Sequence, residues 1–102
     1  MQTEQVGGKL AFTVTWQVRP GETDKAEDII ARFAPLARQE PGLELLVVSR
    51  GAADPQHYLF FEIFCDQAAF DEHQQTAHFK SLIMEQALPL LSHRERVQYV
   101  TV

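Results

Sequence analysis

Two central segments, residues 43–51 and 57–65, constrain the fold most strongly. Each reads as a β-strand, and a turn built on Gly51 and Asp54-Pro55 joins them. Both sides of each strand are apolar: Leu43, Leu45 and Val47 lie opposite Leu46 and Val48, and Leu59, Phe61 and Ile63 lie opposite Tyr58, Phe60 and Phe64. A strand that is apolar on both faces is buried on both faces. The sequence therefore predicts a sheet whose centre is covered from two sides.

The segment that precedes these strands predicts one more strand and a helix. Residues 10–18 alternate between apolar and polar side chains, which is the period of a strand with one apolar face. Residues 24–40 change to helical spacing, with Asp24 as the predicted N-cap and Glu27 as its reciprocal partner. Pro35 lies inside this helical pattern and should kink the helix or end its regular part.

The segment that follows predicts two helical pieces and a last strand. Asp66 can cap a helix over residues 66–75, and Thr76 can cap a second over residues 76–91. Residues 93–102 then alternate again, as in a strand.

This order of elements predicts an α+β fold of the ferredoxin-like βαββαβ split type, an antiparallel four-stranded sheet with helices on one face. A right-handed crossover makes the first two strands parallel, with the third between them and the fourth at the edge. Since the helices cover only one face, the other apolar face needs a second cover, and a second copy of the chain is the simplest one. We expect a single domain over residues 10–102 and a disordered or extended N-terminal segment over residues 1–9.

Composition and charge argue against several classes of function. The 102 residues carry a net charge of -5, and their nine Lys and Arg residues are scattered, which disfavours nucleic-acid binding. The single cysteine, Cys65, excludes an internal disulfide and leaves too few thiols for a zinc or iron–sulfur site. No apolar stretch approaches the roughly 20 residues of a membrane span, so no membrane partner is predicted. The N-terminus lacks the order of a signal peptide, and a cytoplasmic location follows by default.

Glu62 and His73 are the candidate catalytic residues. Glu62 lies among aromatic residues in a strand predicted to be interior, where a carboxylate costs several kcal/mol unless it is paired or protonated. It could form a structural ion pair with Arg94 or Arg96, or line a pocket with a raised pKa or a histidine partner. His73 should face the sheet from its helix, either as an ordinary core histidine or as a base. If the two meet, the carboxylate would fix the imidazole tautomer and raise its basicity.

Several aromatic side chains could line a flat apolar cavity, although each alone is also a common core residue: Trp16, Phe60, Phe64 and Phe70. His78 follows His73 by five residues, past a break at Thr76, and this spacing does not make a metal-binding pair. The sequence contains no glycine-rich phosphate loop and no nucleophile elbow.

Residues 61–66 and 70–79 carry a characteristic order: Glu62 two positions before an aromatic residue, then His73, a break at small residues, His78 and a further aromatic residue. This order resembles the antibiotic biosynthesis monooxygenase family. Two further points of the family pattern are present, namely Arg19-Pro20-Gly21 and Glu40-Pro41-Gly42. Within the family, the chain is similar to the small quinol-monooxygenase-like and autoinducer-processing proteins.

The resemblance implies a dimeric α+β barrel with a ligand cavity in each subunit. Some members of the family oxidise polycyclic phenols or quinols with O₂ and use neither metal nor flavin, so the resemblance implies no cofactor and a small apolar or aromatic substrate. In that scheme His73 is the base and Glu62 orients it. Phe64 and Trp16 form the aromatic walls, and His78 is a second polar contact.

One branch of the family is not matched. Haem-degrading relatives use a pocket Asn, a Trp and a helical His, where this chain has Val14, Phe64 and Ile83. Haem degradation is therefore not expected.

Three functions remain open from the sequence. The first is a cofactor-independent monooxygenase that acts on a quinol-like or polycyclic aromatic substrate. The second is an isomerase or processing enzyme for a small polar signalling metabolite, which would gain support if Arg94 or Arg96 points inward. The third is a non-enzymatic ligand-binding or stress-related protein.

Overall fold

A computed structural model describes residues 8–102 of the chain. Its elements are β1 (Leu10–Val18), α1 (Thr23–Ala37), β2 (Leu43–Arg50), β3 (His57–Phe64), α2 (Gln67–Gln75), α3 (Phe79–Ala87), a 3₁₀ turn (Leu88–Leu90) and β4 (Leu91–Val100). Residues 1–7 of the predicted N-terminal segment 1–9 lie outside the described part. Of its last two residues, Gly8 donates a backbone hydrogen bond to Thr101, and Lys9 accepts one from it.

The four strands form one sheet in the order β2-β3-β1-β4, and every neighbouring pair is antiparallel. This arrangement confirms the predicted ferredoxin-like α+β fold. The face that the helices cover, here called the inner face, carries large side chains that are almost fully buried, including Phe12, Trp16 and Phe64. Phe33 of α1 joins them in the core, so helix and sheet share one apolar interior.

The opposite side of the sheet, here called the outer face, is apolar, and no helix or strand of the described residues covers it. It consists of Leu45 and Val47 of β2, Leu59, Phe61 and Ile63 of β3, and Val97 and Tyr99 of β4, with the small side chains of β1 between them. Leu45 is 40% exposed, Val47 45% and Tyr99 51%. The second apolar face predicted from the sequence is therefore present.

Three local predictions were wrong. A register shift between Leu43 and Leu45 turns Leu43 into the core, where strict alternation had placed both side chains on one face. The residue before α1 is Glu22, not Asp24, and it makes no side-chain cap bond. Glu27, the predicted capping partner, instead accepts hydrogen bonds from Tyr58 and Arg50, because β3 and β2 bring those donors beside α1.

In the second helical region both predicted cap bonds are present, but α3 covers Phe79–Ala87 where the sequence predicted residues 76–91, and its winding also differs. The Asp66 carboxylate accepts the Ala69 N–H at 2.8 Å, and the Thr76 hydroxyl accepts the Phe79 N–H at 3.2 Å, so both caps are confirmed. α3 is a π-helix, with wider turns than the α-helix that the apolar spacing predicted. It passes into the 3₁₀ turn at Pro89, and β4 begins at Leu91, two residues before the predicted start. No helix within residues 8–102 has the length and apolar character needed to cross a membrane.

Candidate functional site

A small cavity lies between the inner face of the sheet and the three helices. Its walls come from all the helices and from three strands: Val14, Trp16, Phe33, Phe60, Glu62, Phe70, His73, Phe79, Ile83, Arg94 and Arg96. Its volume is about 20 Å³, which is room for one water molecule. The walls are mostly aromatic or aliphatic, with four ionisable side chains converging on one space.

Five of the seven predicted site residues line this cavity, namely Trp16, Phe60, Glu62, Phe70 and His73. The other two do not. Phe64 is fully buried behind the wall and packs 5.4 Å from the Phe70 ring and 5.0 Å from the His73 ring, so it supports the site from the core. His78 contacts Glu40 instead of the cavity.

Glu62 projects from β3, opposite Phe12 of β1 and Leu46 of β2. Its side chain is buried and makes no hydrogen bond with any described residue. Burial raises the pKa of Glu62 to about 7, and the negative charge of Glu40 adds to this effect, while Arg94 and Arg96 oppose it. The carboxyl group therefore passes between its neutral and ionised forms near neutral pH.

The partner of His73 is Glu40, not Glu62, for which the family resemblance implied that role. His73 Nδ1 lies 2.8 Å and 3.0 Å from the two carboxylate oxygens of Glu40, and His78 Nε2 lies 2.6 Å from one of them. Burial lowers the pKa of the His73 imidazole, and the attraction of Glu40 works against that shift. Because a carboxylate accepts, Nδ1 carries the proton and leaves Nε2 of this cavity-lining residue as the basic nitrogen.

Local structure explains how Glu40 reaches the two histidines. α1 ends at Ala37, and the Glu40 N–H bonds back to the Ala37 carbonyl, which directs the next residues across the start of α2. Gly42 then packs so tightly against Ala69 of α2 that a Cβ at position 42 would overlap the Ala69 Cβ. This close approach brings the segment between α1 and β2, which carries Glu40, against α2 one turn before His73.

Arg94 and Arg96 of β4 belong to the inner face, opposite Trp16 and Val14. The Arg96 guanidinium lies 5.1 Å from the Phe70 ring centroid and 5.7 Å from that of Phe12, which is cation–π distance. Arg94 is half-buried, and its Nε has no hydrogen-bond partner among the described residues. Neither arginine comes within ion-pair distance of Glu62, so the structural ion pair, one of the two alternatives that the sequence left open for Glu62, is not formed within residues 8–102.

Sequence reasoning missed Glu40 because it lies 33 positions from His73 and 38 from His78. The one available signal was its place in the Glu40-Pro41-Gly42 element of the family pattern. Phe33, Phe79 and Ile83 were missed as cavity walls, since helical spacing marks them only as core residues. Within the described chain, no group of three or more His, Cys, Asp or Glu residues is arranged to hold a metal ion.

The fold and the site define a ferredoxin-like α+β domain with an aromatic cavity between its sheet and its helices. The chain belongs to the antibiotic biosynthesis monooxygenase family, whose pattern matches residues 10–83.

Solved structures show the same fold. A Pseudomonas aeruginosa protein superimposes with a TM-score of 0.88 at 21% identity, covering 97% of this chain and 99% of its own. A candidate antibiotic biosynthesis monooxygenase from Nitrosomonas europaea has a TM-score of 0.86 at 18% identity, covering 97% of this chain and 93% of its own. Another such candidate, from Bacteroides thetaiotaomicron, has a TM-score of 0.84 at 22% identity, covering 90% and 88%. No curated protein matches the chain significantly.

Proposed function

We propose that this chain is a cofactor-independent monooxygenase that oxidises a quinol-like or polycyclic aromatic substrate with O₂. The observation that carries the proposal is a buried histidine, His73, which lines an aromatic cavity and whose Nδ1 is held by Glu40, so that Nε2 is left as the basic nitrogen. A base held in this way can take a phenolic proton in surroundings that exclude water. We place the catalytic unit in the proposed domain over residues 10–102.

The reaction balances without an added reductant. His73 Nε2 removes the phenolic proton, and the resulting phenolate is electron-rich enough to reduce O₂. One oxygen atom becomes a carbonyl oxygen on the substrate ring, and the other leaves as water with the two hydrogen atoms that the substrate loses. Glu40 holds the imidazole in one tautomer and stabilises its protonated form, which is the role that the family resemblance implied for Glu62. Glu62 lines the same cavity and has a pKa of about 7. Its carboxyl group can therefore donate or accept a second proton near neutral pH.

The cavity must widen before it can hold a ring, because its present volume of about 20 Å³ suits one water molecule. Arg96 is the exposed member of the wall, and its side chain covers Phe12 and Phe70. An outward rotation of Arg96 would open the aromatic wall without breaking a hydrogen bond or ion pair within the described chain.

A second function is favoured by the inward position of Arg94 and Arg96. Two cations, a carboxyl group and an imidazole around a small cavity also suit an isomerase or processing enzyme for a small polar signalling metabolite. That reaction would proceed without O₂, so the two functions make opposite predictions under nitrogen.

We also propose that the protein is a homodimer that pairs through the outer face, as in a dimeric α+β barrel. The support is the row of exposed apolar side chains on β2, β3 and β4, which no part of the described chain covers. Exposed apolar surface of this kind typically marks an interface.

The function is tested by O₂ uptake and product formation with a panel of quinols and polycyclic phenols, in air and under nitrogen. We expect O₂-dependent turnover by the wild type and a loss of roughly a hundredfold or more in His73→Ala, since general-base catalysis contributes about 10²–10⁴-fold. His93→Ala is the matched control, because His93 is exposed and outside the cavity. Equal background rates with wild type and His73→Ala would contradict the monooxygenase. Turnover under nitrogen would favour the second function, and tight binding with no turnover would indicate a non-enzymatic protein.

A further inference from the structure

Two oppositely charged side chains share the cavity without pairing to each other. The Arg94 Nε is buried and has no hydrogen-bond partner among residues 8–102. Glu62, a residue that is only 7% exposed, lines the same cavity and lies outside ion-pair distance of Arg94. An unpaired polar group in the interior costs free energy, so this part of the wall is complementary to a polar group that the chain itself does not supply.

The charges that face this space add up to a positive excess. Arg94 and Arg96 are cations, whereas Glu62, with a pKa of about 7, is ionised in only part of the molecules at neutral pH. Burial lowers the pKa of His73 and so favours its neutral form, and the Glu40 carboxylate is directed at His73 and His78. A positive site within a chain of net charge -5 is therefore local, built by two side chains of one strand.

We infer that the cavity binds an aromatic molecule through an anionic oxygen group, a carboxylate or an ionised phenol, held between Arg94 and Arg96. The ring would lie against Trp16 and Phe60, which are 4.5 Å apart between centroids. This inference deepens the proposed function, since it concerns the substrate class of the same cavity. It applies equally to the second function, whose metabolite would need an acidic group.

The chemistry of arginine fits this role. A guanidinium presents its N–H groups in a planar fork that matches two oxygen atoms, and bonds to an ionised acceptor are stronger than neutral ones. Arg94 offers such a donor from the half-buried wall, while Arg96 can swing from its position over Phe70 to close on the second oxygen. An anion here also favours the neutral form of Glu62, so binding near neutral pH should take up protons.

The test is calorimetric binding with two matched pairs of probes that differ in charge but hardly in shape, 2-naphthoate with 2-naphthamide and benzoate with benzamide. The smaller pair is included because the cavity is narrow. We expect each carboxylate to bind roughly tenfold or more tightly than its amide, since a hydrogen bond to a charged group is worth about that much. We expect Arg94→Gln to lower carboxylate affinity by a similar factor and to leave amide affinity nearly unchanged. Arg94→Lys keeps the positive charge but loses the planar guanidinium group. Its carboxylate affinity should lie between those of the wild type and Arg94→Gln.

Arg19→Gln is the control, because it removes one positive charge from an exposed residue outside the cavity. Circular dichroism confirms that each variant is folded, and Arg96→Gln gives an independent variant at an exposed position. Three results would overturn the inference. They are equal affinity for carboxylate and amide, carboxylate affinity that is unchanged in both Arg94→Gln and Arg96→Gln, and no binding of any probe.

Binding of 2-naphthol distinguishes the two sources of the anionic oxygen. Affinity that appears only when the naphthol is ionised indicates a phenolate site, and naphthoate binding alone indicates a carboxylate site. None of these measurements depends on O₂. The loss of charge preference would refute the ligand class while leaving turnover possible, and the absence of O₂ uptake would refute the monooxygenase while leaving the ligand class intact.

Discussion

Glu62 shows at the scale of one residue how burial and charge compete. Its carboxyl group lies among aromatic rings, and burial outweighs the attraction of Arg94 and Arg96, so its pKa rises from 4.5 to about 7. The folded chain therefore holds a proton that the unfolded chain releases over this interval. Stability from this group is present in full below the unfolded pKa and is lost as the pH rises through the folded one.

Replacing Glu62 by Gln should consequently stabilise the protein at alkaline pH and change little at acidic pH. A pKa shift from 4.5 to about 7 corresponds to about 3 kcal/mol. The free energy of unfolding that Glu62→Gln gains over the wild type should therefore be larger at about pH 9 than at about pH 4 by an amount of this order. Urea denaturation of both proteins at the two pH values measures it. Glu85→Gln, at an exposed carboxylate of α3, is the control. If Glu62→Gln stabilised the protein equally at both pH values, the raised pKa of Glu62 would be contradicted.

Glu40 makes a second prediction at this scale. Its carboxylate raises the pKa of His73 against the effect of burial and accepts bonds from both histidines. Glu40→Gln should lower the pKa of His73 further, because the attraction is lost and one of the two oxygens becomes a donating NH₂ group. Titration of the imidazole signals by NMR measures the change, again with Glu85→Gln as the control. An unchanged His73 titration would mean that Glu40 does not hold the imidazole in solution.

At the scale of elements, Gly42 determines how closely the start of β2 approaches α2. A methyl group at this position would overlap the Ala69 Cβ, so Gly42→Ala should push α2 away and cost about 1–3 kcal/mol of stability. The double variant Gly42→Ala/Ala69→Gly removes the overlap and should recover most of the loss, apart from about 1 kcal/mol for a glycine inside a helix. Chemical denaturation of the three proteins tests this. A double variant that is no more stable than Gly42→Ala would exclude the overlap as the cause.

The elements also show which parts of the fold could be predicted from the sequence. Strand periodicity is a local signal, so β1 was predicted at Leu10–Val18, its observed bounds, and the βαββαβ order followed. The bulge after Leu43 and the π-helical winding of α3 were not predicted. In both segments the spacing of apolar residues is close to that of a regular strand or an α-helix, so the sequence pattern does not distinguish them. The site divides in the same way: Glu62 stands out as a charge in an apolar strand, whereas Glu40 reaches His73 only through tertiary packing.

Within residues 8–102, the helices cover one face of the sheet and leave the other face uncovered. α1, α2 and α3 account for the inner face, and the described chain has no further element to place on the outer face. The exposed side chains there run across three strands, from Leu45 on β2 through Leu59 on β3 to Tyr99 on β4. Stable interfaces bury roughly 1,200–2,000 Å² in total, so the proposed pairing of this face with a second copy of itself predicts a buried area of that order.

A lysine among the exposed apolar side chains that β2, an edge strand, places on the outer face should separate the proposed dimer. Val47 is 45% exposed in the single chain and lies beside Phe61, so Val47→Lys would place a charge inside the interface, where desolvation makes it costly. Light scattering at micromolar concentration should give twice the chain mass of 11.6 kDa for the wild type and a value near 11.6 kDa for the variant. Met84→Lys is the matched control: Met84 is 48% exposed but lies on α3, away from the outer face, and its substitution should leave the dimer intact. A monomeric wild type would refute the dimer, and a dimeric Val47→Lys would place the interface elsewhere on the molecule.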